Sequence, residues 1–315
     1  MRGALAVDGI VNVIKPPGMS SHQVVNVMRR LINMRKIGHT GTLDPGASGV
    51  LTLCLGKGTR VVSYLLEKDK RYIAELTLGL ATQSQDASGE TLAIKTDFSV
   101  SPTAFAETLS SFRGRQQQLP PMTSAIRVDG QRLYKAARAG LDIDRPLREI
   151  QIYDLHINKV LPEGEENLHF GSRVLLDIRC SKGTYIRTLC HDIGQALGVG
   201  AHMSFLSRLQ NGPFSLEDSH TLEELQDKIA TADWSFVLPI EAALPNWPKV
   251  IVSPLAEQRI KHGNAVPTED LLSIPRPLVP GDEVLVMGLE GELLALASIE
   301  QQQQMVCQPF RVLKG

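Results

Sequence analysis

The sequence predicts an α/β (α+β) chain in which a larger unit of helices and strands is followed by a small strand-rich unit of β-barrel type. Three observations predict this. Apolar residues switch between helical and strand spacing over most of the chain, and the composition shifts near Pro245 to Pro254. Beyond that point, short strand-like runs at residues 284–287, 293–299 and 305–312 are separated by glycines and polar turns. At 315 residues the chain exceeds what one core usually supports, and 43% hydrophobic residues are enough for two.

In chain order, Ser20 and Gln23 have the spacing of a capping box, and Val24, Val25, Met28, Leu31 and Ile32 follow at helical intervals. This predicts an amphipathic helix ending before Gly38. Residues 50–55 read as a buried strand. From Tyr72 the sequence alternates, with Ala74, Leu76, Leu78 and Leu80 on the tyrosine's face and Ile73, Glu75 and Thr77 opposite. Residues 102–113 space Phe105, Leu109 and Phe112 for one helix face. The stretch from Gln116 to Arg148, with Pro120-Pro121, a glutamine run and Tyr134, reads as an inserted arm carrying a short helix. Residues 174–180 alternate as another strand. Ser181 to Thr184 then turn the chain into a helix striped by Ile186, Leu189, Cys190, Ile193 and Leu197, with Tyr185 and Arg187 in its first turn. Residues 256–262 form one more short helix, and no internal repeat is present.

Composition excludes several function classes. A net charge of −1 is not that of a strongly basic nucleic-acid-binding domain, although Arg29, Arg30, Arg35 and Lys36, and a second group from Arg127 to Arg148, make local basic stretches. The four cysteines form no zinc-type spacing, and Cys54 and Cys180 sit in apolar strand-like runs as small hydrophobes. No signal peptide or membrane span is legible. Residues 56–59 resemble the end of a phosphate-binding loop, but the required upstream glycine is Leu51. The expectation is a reduced, cytoplasmic, metal-free protein without a nucleotide site.

The most informative stretch is Gly38 to Gly49, a glycine-rich loop with one carboxylate, Asp44, near its middle. Glycine allows close backbone approach to a ligand, and Pro45 biases Asp44 away from helix. Two readings stand at this point. Asp44 bonds its own backbone in an ordinary Asp-Pro-Gly turn, or it is presented as a nucleophile or as a stabiliser of positive charge.

Five stretches together resemble the TruB family of tRNA pseudouridine synthases. They are Asn12 to Gly18, Gly38 to Gly49, Lys70-Arg71-Tyr72, Pro121 to Ala125 with Gly130 to Tyr134, and Cys180 to Leu189. They run in order over roughly residues 10 to 210, and the C-terminal unit resembles a PUA-like RNA-binding domain. The resemblance implies a pseudouridine synthase fold, a central mixed and mainly antiparallel sheet flanked by helices. Its catalytic domain would span 1–248, with an RNA-clamping insertion at about 116–150, and the PUA-like domain would span 249–315. It implies conversion of uridine-55 in the tRNA T-loop to pseudouridine by base flipping, with no cofactor and no metal. A monomer acting on the T-arm, reaching the acceptor stem through its C-terminal domain and also assisting tRNA folding, is expected.

By the same resemblance Asp44 is the catalytic carboxylate, Tyr72 stacks on the flipped base, and Arg187 pairs with Asp44 and keeps it ionised. Tyr185 lines the pocket and helps proton removal, Leu206 closes the apolar wall, His39 enters the T-loop, and Lys15 joins the RNA-binding group. Relatives carry basic residues just after this leucine, whereas here Ser207 and Leu209 flank a single Arg208. A chaperone without catalysis and a guide-dependent synthase acting on ribosomal RNA are the competing functions.

Overall fold

The computed structural model describes residues 7–122, 127–128, 131–132 and 143–313. Among the described residues there are two large sheets and two small two-stranded ones. The larger has nine strands, seven of them in the order β1 (Gly9–Lys15), β3 (Ser48–Leu55), β12 (Ala201–Asn211), β4 (Lys70–Leu78), β11 (Arg173–Cys180), β10 (Arg148–Leu161) and β7 (Gly114–Gln118). The short β2 (Ile37–His39) pairs with β3, and β13 (Phe214–Ser215) pairs with β12. Every pairing is antiparallel except β12 with β3. This is the mixed, mainly antiparallel sheet that the resemblance implies.

Helices cover the sheet where apolar side chains align. α1 (Ser21–Leu31) starts as the capping box requires. Ser20 Oγ accepts from the Gln23 amide at 3.2 Å, and Gln23 Oε1 accepts from the Ser20 amide at 2.7 Å. Its buried Val24, Val25 and Met28 pack on Val11, Val13, Leu51 and Leu53. Burying each such side chain contributes roughly 2 kcal/mol. A second core joins Ala74, Leu76 and Leu78 of β4 to Leu176 and Ile178 of β11. The helix Ile186–Ala196, labelled α4 below, adds Leu189 and Ile193 to it. The helix Pro102–Ser111 brings Phe105 and Leu109 to the same layer.

The strand-rich unit is a six-stranded, nearly barrel-shaped sheet of PUA-like character whose first strand is Lys249–Val252. Its Leu285, Met287 and Leu296 join Ile10, Cys54, Leu65 and Phe214 in a shared apolar cluster, which ties the unit to the larger sheet. All four cysteines are free and buried.

Two expectations need correction. Gln116 to Gln118 belong to β7 and Arg148 opens β10, paired as Arg148↔Gln118, so both ends of the expected arm are sheet and not loop. Of the rest of that arm, 119–122, 143–147 and the paired segments 127–128 and 131–132 are described, while Tyr134 and the expected short helix lie outside the described residues. The alternation from Tyr72 ends at Leu78. Gly79 turns the chain with φ +90°, and Leu80 begins a separate short strand, Leu80–Thr82.

The parallel contact between β3 and β12 is unusually close. Gly49 lies opposite Arg208, and a Cβ on Gly49 would stand 2.2 Å from the Arg208 carbonyl oxygen. Its φ of +101° is equally unsuited to a side chain. Gly49→Ala is therefore expected to lose about 3 kcal/mol of stability. Urea denaturation checks this, and an unchanged midpoint would show that the approach is relaxed in solution.

Candidate active site

Asp44 lies in the connection between β2 and β3, and that connection is held from beneath. Ser21 Oγ accepts from the Leu43 amide at 2.9 Å and donates to the Leu43 carbonyl at 3.1 Å. The Gly18 amide and the Lys15 ammonium both donate to the Pro45 carbonyl, at 2.8 and 3.2 Å. Arg208 of β12 donates from Nη2 to the Gly41 carbonyl at 3.1 Å and from Nε to the Val50 carbonyl at 2.7 Å. Asn211 Nδ2 donates to Thr40 Oγ1 at 2.7 Å. These anchors leave the Asp44 side chain free to point away from its own turn.

Its carboxylate meets Arg187 in the first turn of α4. Arg187 Nε lies 2.9 Å from Asp44 Oδ2, and Nη2 reaches Oδ1 at 3.5 Å. The forked pairing takes the carboxylate to the guanidinium and not to backbone amides of its Asp-Pro-Gly turn, while the Asp44 carbonyl still accepts from the Ala47 amide at 3.1 Å. Arg187 is 6% exposed and the Asp44 side chain 37%, so a substrate can reach the acid but not the base that orients it. A basic side chain at a helix N-terminus is disfavoured by the macrodipole. Two anions offset that here.

The second anion is Asp86, which the sequence reading missed. Asp86 Oδ2 lies 3.4 Å from Arg187 Nη1, and the same nitrogen donates to the Ser84 carbonyl at 3.3 Å. Asp86 is itself fixed by Ser84 Oγ, the Ser88 amide and Ser88 Oγ at 2.6, 3.0 and 2.6 Å. Burial works to raise its carboxyl, but the hydrogen bonds from Ser84 and Ser88 and the charge of Arg187 bring it below the ordinary range. Asp44 goes the other way. Burial pushes it up, Arg187 opposes, and the like charge of Asp86 adds to the rise. Arg187 thus orients Asp44 and opposes the rise, while burial and the Asp86 charge set its direction.

The loop bearing Asp86 is strained and stitched to β12. Gln85 has φ +64°, rare for a residue with a side chain. Its carbonyl accepts from the Met203 amide at 3.0 Å, and Thr188 of α4 donates to its side-chain oxygen at 2.7 Å. The Ala87 amide donates to the Met203 carbonyl at 3.0 Å. The available signal was a Ser-x-Asp-x-Ser-Gly turn just after a strand, a second short-residue loop presenting one carboxylate.

The other expected residues fall as follows. Tyr72 is buried on β4 among Leu43, Ala47, Ala74 and Leu206, and the Asp44 charge is felt at its hydroxyl. Leu206 of β12 is in the same cluster. Tyr185 is the residue before α4, and its backbone is gripped by Gln118. Gln118 Oε1 accepts from the Tyr185 amide at 2.8 Å, and Nε2 donates to the Tyr185 carbonyl at 3.0 Å. Gln118 was read as part of the arm and is a further positioning group. His39 ends β2, half-buried, with burial and the nearby Arg208 charge both lowering its pKa. Both shifts favour its neutral form.

Lys15, expected at the RNA, is instead fully buried. Its ammonium donates to the Pro16, Met19 and Pro45 carbonyls, and burial brings its pKa down to about 8. It props the loop from below. Among the described residues no cluster of His, Cys, Asp and Glu could hold a metal ion, and no helix is long and apolar enough to cross a membrane.

A carboxylate on a tethered loop, partly open beside an apolar cluster and clamped by a buried arginine, is set on a fold shared with solved structures. An H/ACA RNP bound to a substrate RNA containing 2′-deoxyuridine aligns with a TM-score of 0.72 at 29% identity, covering 98% of this chain and 85% of that chain. An archaeal box H/ACA sRNP Nop10-Cbf5 complex aligns with a TM-score of 0.71 at 28% identity, over 98% and 86%. The sequence is more specific. The TruB family pseudouridylate synthase N-terminal domain matches residues 29–186, and the tRNA pseudouridylate synthase B C-terminal domain matches residues 187–245. The tRNA pseudouridine synthase B of Alkaliphilus oremlandii is 42% identical over 297 residues, 94% of each chain. That of Bacillus subtilis is 38% identical over 309 residues, 98% of each. The chain belongs to the TruB family and is a tRNA pseudouridine synthase.

Because Asp86 both anchors Arg187 and raises the Asp44 carboxyl, Asp86→Asn has two separable effects. The maximal rate is expected to fall by about tenfold as Arg187 loses an anchor. The acid limb of the pH–rate profile is expected to move to lower pH, because removing a like charge lets Asp44 ionise sooner. Single-turnover rates across an acidic pH series check both. A limb that moves upward would show that Asp86 does not act on Asp44 through its charge.

Proposed function

We propose that the chain isomerises uridine-55 in the T-loop of tRNA, with Asp44 as the catalytic carboxylate. The observation that carries this reading is the forked Asp44–Arg187 pair, in which only the acid remains open to a ligand. A base in folded RNA must first leave its stack, at a cost of roughly a few kcal/mol. The Tyr72 ring and the Leu206 side chain supply the apolar surface that receives it, and neutral His39 at the loop edge stacks into the rearranged T-loop. Tyr185 lines the pocket as the group that assists loss of the C5 proton.

The chemistry follows from what must change. The N1–C1′ bond breaks, a C5–C1′ bond forms, the C5 proton leaves and N1 gains one. Asp44 acts on the sugar, as nucleophile at C1′ or as the base that takes the C2′ proton, and both roles require its ionised form. Arg187 keeps the carboxylate oxygens aimed while the open edge faces the ribose. Neither route calls for redox chemistry or a metal.

The same opening of the T-loop supports a tRNA-folding role beside catalysis. The catalytic domain is assigned to 1–248, with the insertion near 116–150 clamping the T-arm through phosphate contacts. The PUA-like unit from 249 reaches toward the acceptor stem, and the enzyme works as a cytoplasmic monomer on its tRNA.

Incubation with T-arm RNA carrying tritium at uridine C5 is expected to release label without added metal or nucleotide. Asp44→Ala is expected to release none, and release by that variant would remove Asp44 from the chemistry. Arg187→Ala is expected to slow release about a hundredfold or more while leaving RNA affinity nearly unchanged. A parallel loss of affinity would instead assign Arg187 to RNA binding.

A further inference from the structure

Arg208 is among the most deeply buried charged side chains of the molecule, 1% exposed. Among the described residues it forms no ion pair. Its Nε goes to the Val50 carbonyl in β3 and its Nη2 to the Gly41 carbonyl near the start of the connection that presents Asp44. It is also the cross-strand partner of Tyr72, and its guanidinium stands beside the Tyr72 hydroxyl. Gly49 of β3 makes room for its backbone, since a Cβ there would stand 2.2 Å from the Arg208 carbonyl oxygen, whereas a Cβ on Gly41 would come only into ordinary contact with Nη1 at 3.5 Å.

A buried guanidinium without a carboxylate is a costly arrangement. Other charges do not relieve it. Lys15, Lys70 and His39 feel Arg208 as a repelling neighbour. The charge is tolerated because a planar fork can bond two carbonyls whose separation must be held constant, which a lysine cannot match. The single basic residue that follows Leu206 is thus turned inward.

We propose that Arg208 is the positioning residue that fixes the Asp44 loop and the Tyr72 ring relative to each other, so that the acid and the ring meet the same flipped nucleotide. This rests on the reading of Asp44 and Tyr72 given above. Arg208 touches neither the ribose nor the base, and acts through the Gly41 and Val50 carbonyls and the tyrosine hydroxyl.

The test is single-turnover tritium release and tRNA affinity for Arg208→Met and Arg208→Lys, with thermal unfolding followed in parallel and Asp44→Asn as control. The Met variant is expected to release label about a hundredfold more slowly, and the Lys variant about tenfold more slowly. Both are expected to bind tRNA within about threefold of the parent. Should the Met variant unfold at the assay temperature, the Lys variant decides by the same criteria. A parental rate overturns the proposal, and so does a loss of affinity in step with rate, which would mark a purely structural role. An active Asp44→Asn enzyme overturns the reading of the site itself. An inactive Asp44→Asn enzyme beside a normal Arg208→Lys enzyme overturns this inference alone.

Discussion

One guanidinium shared by two carboxylates is the interaction on which the site depends. Arg187 lies at the start of α4 and joins two connections, one carrying Asp44 and the other Asp86, that are separated by 41 residues in the chain. Burying a cation between two acids makes each acid's behaviour depend on the other. The outer acid is pushed up by burial and by its like-charged neighbour, and the inner one is pulled down by serine and amide donors. The outer acid is the more exposed of the two, its side chain 37% exposed against 17% for the inner one.

β12 carries the rest. Met203 ties the Asp86 connection by backbone bonds, Leu206 packs in the apolar cluster that holds Tyr72, and Arg208 grips the Asp44 connection through the Gly41 carbonyl. The pairing of β12 with β4 slips between Met203 and Phe205 and again between Arg208 and Gln210. These irregularities break strict alternation and let one strand send successive side chains to different tasks. The parallel contact of β12 with β3, possible only because Gly49 has no side chain, brings the strand against the loop.

Those irregularities also mark where the sequence was legible and where it was not. α1, β4 and the helix after Tyr185 were readable because a single face is apolar and the period is unbroken. Asp44 and Arg187 were readable through their motifs, and the ion pair between them matches. β12 was not readable as a strand, since His202, Arg208 and Asn211 are polar yet buried and the bulges spoil the period. Asp86 was hidden in an unremarkable serine-rich turn. Lys15 and Gln118 were assigned to RNA because polarity in a motif suggests a ligand. Their partners are backbone carbonyls and amides, which no side-chain pattern reveals.

The two bonds from Arg208 to the Gly41 and Val50 carbonyls close the Asp44 connection into a hoop riveted at a single point. Surface connections ordinarily tolerate added residues at small entropic expense. A hoop of this kind does not, because lengthening it by one residue would misalign a rivet or carry the acid out of reach of its clamp. Length variation among related chains should therefore accumulate between β7 and β10 and stay out of the stretch from Gly41 to Val50, so that the number of residues there is conserved as strictly as their kind.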